Sequence, residues 1–110
     1  MTQTQSSTNS KSGKFSRYDV ANHLRSPEEM AAYLDVWLDE FPDDVSGIAR
    51  AVGDIARAKG MTQVAKDAGL SRESLYRALS QEGNPSLSTI LKVLAAVGLK
   101  LTVSVATSDD

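Results

Sequence analysis

The stretch that most constrains this chain is Met61 to Ser80. Val64, Ala65 and Ala68 recur at helical spacing, Thr62 stands where a cap would sit, and Gly69 follows where a left-handed residue is needed, so a short helix is expected to end there. Ser71 is an N-cap candidate for a second short helix. Its cap is simple rather than reciprocal, because Ser74 stands three residues on where a capping box would want Glu or Gln. Leu70, Leu75, Ala78 and Leu79 then turn inward, and Arg72, Glu73, Tyr76 and Arg77 turn outward. Two helices packed at a steep angle need a small residue where they approach most closely. Ala65, four residues before the turn glycine, takes that place, and a larger side chain would push the pair apart.

A small residue, a glycine four later and then two spaced leucines form the helix-turn-helix pattern, in which the second helix lies in the DNA major groove. The stretch resembles the Cro/repressor-type helix-turn-helix family. On that reading Arg72 and Arg77 are expected to reach guanine edges or phosphate, with Arg72 the better base reader because it lies nearer the end that enters the groove. Glu73 can accept from cytosine, and Ser71 and Ser74 can bond bases or phosphate. Tyr76, Thr62, Gln63 and Lys66 are assigned to phosphates.

Charge supports this once it is divided by region. The whole chain of 110 residues carries a net charge of -2. Residues 1–56 hold five Lys/Arg against nine Asp/Glu, residues 57–100 hold seven against three, and Asp109 and Asp110 supply the rest. The half containing the motif is therefore basic. Counterion release depends on local cationic density, so the overall acidity does not count against DNA binding.

Length allows one domain with tails. The hydrophobic share of 41% is ordinary for a globular protein, and at 5% aromatic the core falls to Leu, Val, Ile and Ala. With no cysteine, disulfides and thiolate metal sites are excluded and a cytoplasmic location is expected. No apolar run approaches the roughly 20 residues of a membrane span, and the N-terminus lacks a signal-peptide core.

Taken in order, residues 1–17 read as a disordered polar tail, and residues 18–42 as an acidic, amphipathic helical region. Within it Tyr18 to Leu24 suggest a turn or two of helix. Ser26-Pro27-Glu28-Glu29 then starts a stronger one, with Ser26 and Glu29 forming a capping box. Met30, Tyr33, Leu34, Trp37, Leu38 and Phe41 make its apolar face. Asp35, Asp39 and Glu40 crowd the opposite face, and acids in the last turn oppose the helix dipole. Residues 43–98 read as the DNA-binding domain. Asp43 or Asp44 caps its first helix, which runs to about Lys59 with Val45, Ile48, Ala49, Val52, Ile55 and Ala56 inward. Gly53 either weakens this helix or permits a close crossing.

After the motif, Ser86 caps a helix from Leu87 to Val97 with Leu87, Ile90, Leu91, Leu94 and Ala95 as its buried face, and Gly98 ends it. Then Leu99, Leu101, Val103 and Val105 alternate with Lys100, Thr102 and Ser104. That period predicts a half-buried strand over 99–106. A lone strand needs a partner, and the same strand of a second subunit supplies one, so a homodimer is expected. Residues 107–110 form an acidic tail. The predicted fold is mainly α: about five helices in a Cro/repressor-like bundle, with a C-terminal β-strand pairing across a dimer.

With Gly60-Met61-Thr62-Gln63, Ala65, Gly69-Leu70-Ser71-Arg72, Leu75-Tyr76, Gly83-Asn84-Pro85-Ser86 and Leu91 to Leu94 in place, the chain is similar to addiction-module antidote proteins, small antitoxins of the HigA type. Ala31-Ala32-Tyr33-Leu34 and Gly53 to Ala58 carry the same resemblance. It implies an antitoxin that neutralises a small basic RelE/HigB-like mRNA-cleaving toxin and represses its own operon by binding double-stranded operator DNA. The acids Asp35, Asp39, Glu40, Asp43 and Asp44, with Asp54, are the expected toxin-facing zone. The alternative is a stand-alone phage-type repressor with no toxin. Enzymatic readings fare poorly, because His23 is the sole histidine, no serine has a candidate base beside it, and no phosphate-cradling glycine loop is present. No cofactor or metal is expected.

Overall fold

The computed structural model describes residues 20, 22–80 and 83–106. The tails at 1–17 and 107–110 lie outside these, as do Tyr18, Asp19, Ala21, Gln81 and Glu82. Val20, Asn22 and His23 are helical. Five helices follow: α1 (Pro27–Glu40), α2 (Val45–Lys59), α3 (Met61–Ala68), α4 (Arg72–Ala78) and α5 (Leu87–Ala96). The protein is mainly α, and no helix among the described residues is long and apolar enough to cross a membrane.

Local chemistry sets most helix ends. Ser26, Asp44, Ser71 and Ser86 each accept a hydrogen bond from the backbone N–H three residues on, which satisfies an otherwise orphaned donor. The capping box at α1 is displaced by one residue from expectation: Glu29 Oε1 accepts from the N–H of Arg25 at 2.7 Å rather than from Ser26. Thr62 does not cap α3. The cap is Gly60, with no side-chain bond, and the helix begins at Met61, so Thr62 lies within the first turn. At the far end Gly69 adopts φ 73°. The N–H of Leu70 then reaches Ala65 O at 2.8 Å and that of Gly69 reaches Lys66 O at 3.2 Å, a left-handed closure that swings the chain into α4.

One core holds all five helices. Val52, Ile55, Val64, Leu75, Leu79, Val93 and Leu94 are its largest fully buried side chains, and Leu24, Met30 and Leu34 bring α1 and the chain before it into the same cluster. α1, α3 and α5 pack on α2. At Gly47 a methyl would meet the Trp37 ring and the Asp44 carboxylate; at Gly53 it would lie 3.1 Å from Leu79 O. Gly53 therefore permits a close crossing, the second of the two roles its sequence position allowed.

Several expected faces are corrected. On α5 the buried side chains are Val93, Leu94 and, at the cap, Val97, whereas Leu87 is 65% exposed and Leu91 and Ala95 also face out. Seven of the ten residues of this helix are apolar, too many for spacing to select one face. Phe41 and Val45, at the α1–α2 corner, are each more than half exposed. Among the described residues there is no strand: 99–106 forms none in the single chain, and Val103 and Val105 are 97% and 86% exposed. The alternation is real, but a ladder needs a second backbone.

Gly47→Ala is expected to destabilise the fold by about 1–3 kcal/mol through overpacking against Trp37. Gly69→Ala, with nothing within 4 Å of the added methyl, should cost about 1–2 kcal/mol from its left-handed backbone alone. Thermal unfolding by circular dichroism measures both, and only the first should shift Trp37 fluorescence.

Candidate nucleic-acid interface

The α3–α4 pair buries one side and presents the other. Val64, Ala65, Ala68, Leu75 and Leu79 point into the core, and Ser71 to Ser74, Tyr76 and Arg77 are exposed, as are Thr62, Gln63 and Lys66 on α3. Because Leu75 and Leu79 anchor α4 one turn apart, residues 72, 73, 76 and 77 share its outer stripe.

Three contacts organise this surface. Arg72 Nη2 donates to Tyr76 Oη at 3.3 Å, and its guanidinium carbon lies 5.4 Å from the centre of the Tyr76 ring. The cation is thus supported on an aromatic face one helical turn away. Ser71 Oγ donates to Ser74 Oγ at 2.9 Å while accepting the Ser74 N–H at 3.0 Å, so both hydroxyls are drawn into the cap. Gln63 Nε2 donates to Asp67 Oδ1 at 2.9 Å along α3. The side chains of Thr62, Lys66, Glu73 and Arg77 stand on the same two helices, and no contact among the described residues joins them to one another.

The acidic residues divide differently from expectation. Asp35, Asp39, Glu40 and Asp43 are exposed. Asp44 is also exposed, but its Oδ1 accepts the Gly47 N–H at 2.9 Å and holds the start of α2. Asp54 does not belong to an outward zone at all. It is 5% exposed, and accepts Tyr33 Oη and Arg57 Nη2, each at 2.8 Å. A buried carboxylate must be paired, and the available signals were Arg57 three residues on and a tyrosine on the facing helix.

Leu99 is half-buried, and its N–H closes α5 on Leu94 O at 2.8 Å, while Leu101, Val103 and Val105 run outward. Two hollows flank Leu101. One, about 390 Å³, is an apolar groove lined by Leu38, Val45, Ile48, Leu87, Ile90 and Leu101. The other, about 340 Å³, includes Ala31, Asp35, Leu38, Leu99, Lys100 and Leu101. The groove and the outward Leu87 and Leu91 were missed in the sequence, since apolar residues on a helix read by default as core.

Residues 14–105 match the family described as "Probable addiction module antidote protein". An uncharacterized protein of Haemophilus influenzae (strain ATCC 51907 / DSM 11121 / KW20 / Rd) is 51% identical over 86 residues, covering 78% of this chain and 87% of that one. No solved structure matches the chain. With most of its length matched, and with the whole described fold inside the match but for its last residue, this chain belongs to the family of probable addiction module antidote proteins.

Proposed function

We propose that the protein is an antitoxin of the HigA type that binds operator DNA as a homodimer through a Cro/repressor-type helix-turn-helix, represses its own operon and neutralises a RelE/HigB-like toxin. The observation that carries the DNA half of this reading is the outer stripe of α4, where Arg72 rests on Tyr76. An arginine reads guanine with two parallel N–H donors, and a guanidinium already held against a ring loses less freedom when it docks. Tyr76 thereby acts on the bases through Arg72 as well as on phosphate. Arg77 adds charge on the same stripe, Glu73 offers an acceptor to cytosine, and Lys66, Gln63 and Thr62 on α3 meet the backbone on one side, with Ser71 and Ser74 at the entry of α4. The net +4 of residues 57–100 supplies the local cationic density.

Dimerisation supplies the second reading helix. Two C-terminal segments, pairing antiparallel through 99–106, satisfy each other's backbone and bring together Leu99, Leu101, Val103 and Val105 of both copies. A two-fold dimer then addresses two half-sites about one helical turn apart. Toxin neutralisation is assigned to the acidic half, where Asp35, Asp39, Glu40, Asp43 and Asp44 oppose the cationic surface an mRNA-cleaving toxin uses on its substrate.

Footprinting and anisotropy titration on the DNA upstream of its own gene test the regulatory reading. Protection of a symmetric site with affinity falling steeply in salt is expected, and no protection at low salt overturns it. Arg72→Ala should cost about 1–3 kcal/mol and relax one base pair of specificity, while Lys66→Ala should weaken all sequences alike and reduce the salt slope by about 1. Truncation after Gly98 is expected to leave monomers in sedimentation velocity; a dimer that persists removes the strand pairing.

A further inference from the structure

The corner between α1 and α2 differs from the rest of the surface in both charge and shape. From Ser26 to Ala49 the chain has no Lys or Arg and seven acids. The fold accounts for three of them: Glu28 and Glu29 lie in the first turn of α1, where the dipole favours them, and Asp44 caps α2. Asp35, Asp39, Glu40 and Asp43 have no such task. Asp39 and Glu40 lie against the negative end of α1, which has no basic residue in its last turn.

At the corner itself stand Phe41 and Val45, each more than half exposed, with Glu40 and Asp43 flanking Phe41 in the chain; Asp35 and Asp39 lie on the other face of α1, Asp35 in the hollow it shares with Lys100 and Leu101. Phe41 is not a loose side chain. Its ring lies 5.2 Å from that of Trp37, tilted by 49°, and Trp37 is half-buried in the space over Gly47. The backbone around it is closed: Phe41 N–H donates to Trp37 O at 2.9 Å, and Asp44 N–H donates to Phe41 O at 3.1 Å. A fixed aromatic side chain at the centre with a charged rim is the composition of a protein-binding hot spot. Because the rim is of one sign, it selects a cationic partner and repels phosphate. The other exposed apolar face, around Leu87, Leu91 and Leu101, is flanked by charges of both signs, Lys92, Lys100 and Asp35, and so does not select a cationic partner.

We infer that the toxin docks on the α1–α2 corner, with Phe41, backed by Trp37, as its buried anchor and Glu40 and Asp43 facing Lys and Arg of the toxin. This rests on the antitoxin reading and narrows it: Asp44 drops from the contact set in favour of its cap, Asp35 and Asp39 drop because they face away from Phe41, and the principal side chain is aromatic rather than acidic.

The test uses the full chain and the protein encoded by the open reading frame adjacent to its gene, co-expressed and purified together. Phe41→Ala is expected to weaken binding about thirtyfold or more, the loss that marks a hot spot. The double variant Glu40→Lys, Asp43→Lys should slow association and flatten its salt dependence. Both variants are expected to stay folded, Phe41→Ala melting a little lower for the lost packing on Trp37 and the charge variant a little higher for the relieved helix dipole, and both keep the wild-type affinity for upstream DNA, since none of the three side chains lies on α3 or α4. Hydrogen exchange on the wild-type complex gives a readout free of mutation, with protection expected over 36–45. If the wild-type complex forms but both variants bind within threefold of it, or protection falls on 99–106 or α4, this surface is wrong and the antitoxin reading stands. If the wild-type proteins form no complex, the antitoxin reading fails and the surface with it.

Discussion

The arrangement depends on how closely other helices can approach α2. α1, α3 and α5 pack on it directly, and the end of α4 reaches it where Leu79 meets Gly53. Such convergence requires a helix that is buried on most of its circumference yet thin, and α2 answers with Gly47, Ala49, Ala51, Gly53 and Ala56, all buried. Its larger apolar residues, Val52 and Ile55, are fully enclosed and fill what space remains. Interaxial distance is set by the side chains at the contact, so these small residues decide where α1 and α4 lie relative to one another.

The one charged group buried in that core among the described residues follows from the same geometry. Asp54 is brought inside by the turn it occupies on α2 and is satisfied by Tyr33 from α1 and Arg57 from α2. Such a group does little for net stability against an apolar replacement, but removing one partner is costly. It also joins the two helices, the Tyr33 hydroxyl of α1 donating to Asp54 of α2. The register of α1 on α2 is therefore specified by a hydrogen bond as well as by packing, and with it the placement of the α1–α2 corner.

What could be read from the chain alone was what local chemistry determines. Ser26, Asp44, Ser71 and Ser86 act on the three residues that follow each of them, and Gly69 acts on its own backbone, so those helix ends needed no tertiary knowledge. The Arg72 stripe was legible for the same reason, since Leu75 and Leu79 orient a short helix by spacing alone. The burial of α5 was not. From Leu87 to Val97 the run is apolar apart from Ser88, Thr89 and Lys92, and its inner face is chosen by α2 and α3, not by its own period. Residues 99–106 failed in another way, because alternation specifies side-chain partition while a strand also needs a second backbone. The Arg72–Tyr76 contact and the anchored Phe41 belong to neither class, being side-chain geometry that spacing permits and does not dictate.

Where the chain departs from what stability alone would choose, the departures are all on the surface. Asp39 and Glu40 work against a helix dipole, Phe41 leaves half a ring in water, Val103 and Val105 stand almost wholly exposed, and Arg72 is spent on a solvent-facing tyrosine. The core makes no comparable concession, its one carboxylate being paired. A sequence is expected to break its own local rules at the places where something other than folding is at stake. These breaks fall into three groups of distinct chemistry: acidic and aromatic at the α1–α2 corner, cationic on α4, and neutral and apolar along the C-terminal segment. A single binding partner would not call for three unlike surfaces on so small a chain. The function proposed above, in which the antidote holds a cationic protein, reads an anionic duplex and pairs with its own copy, would use one of each.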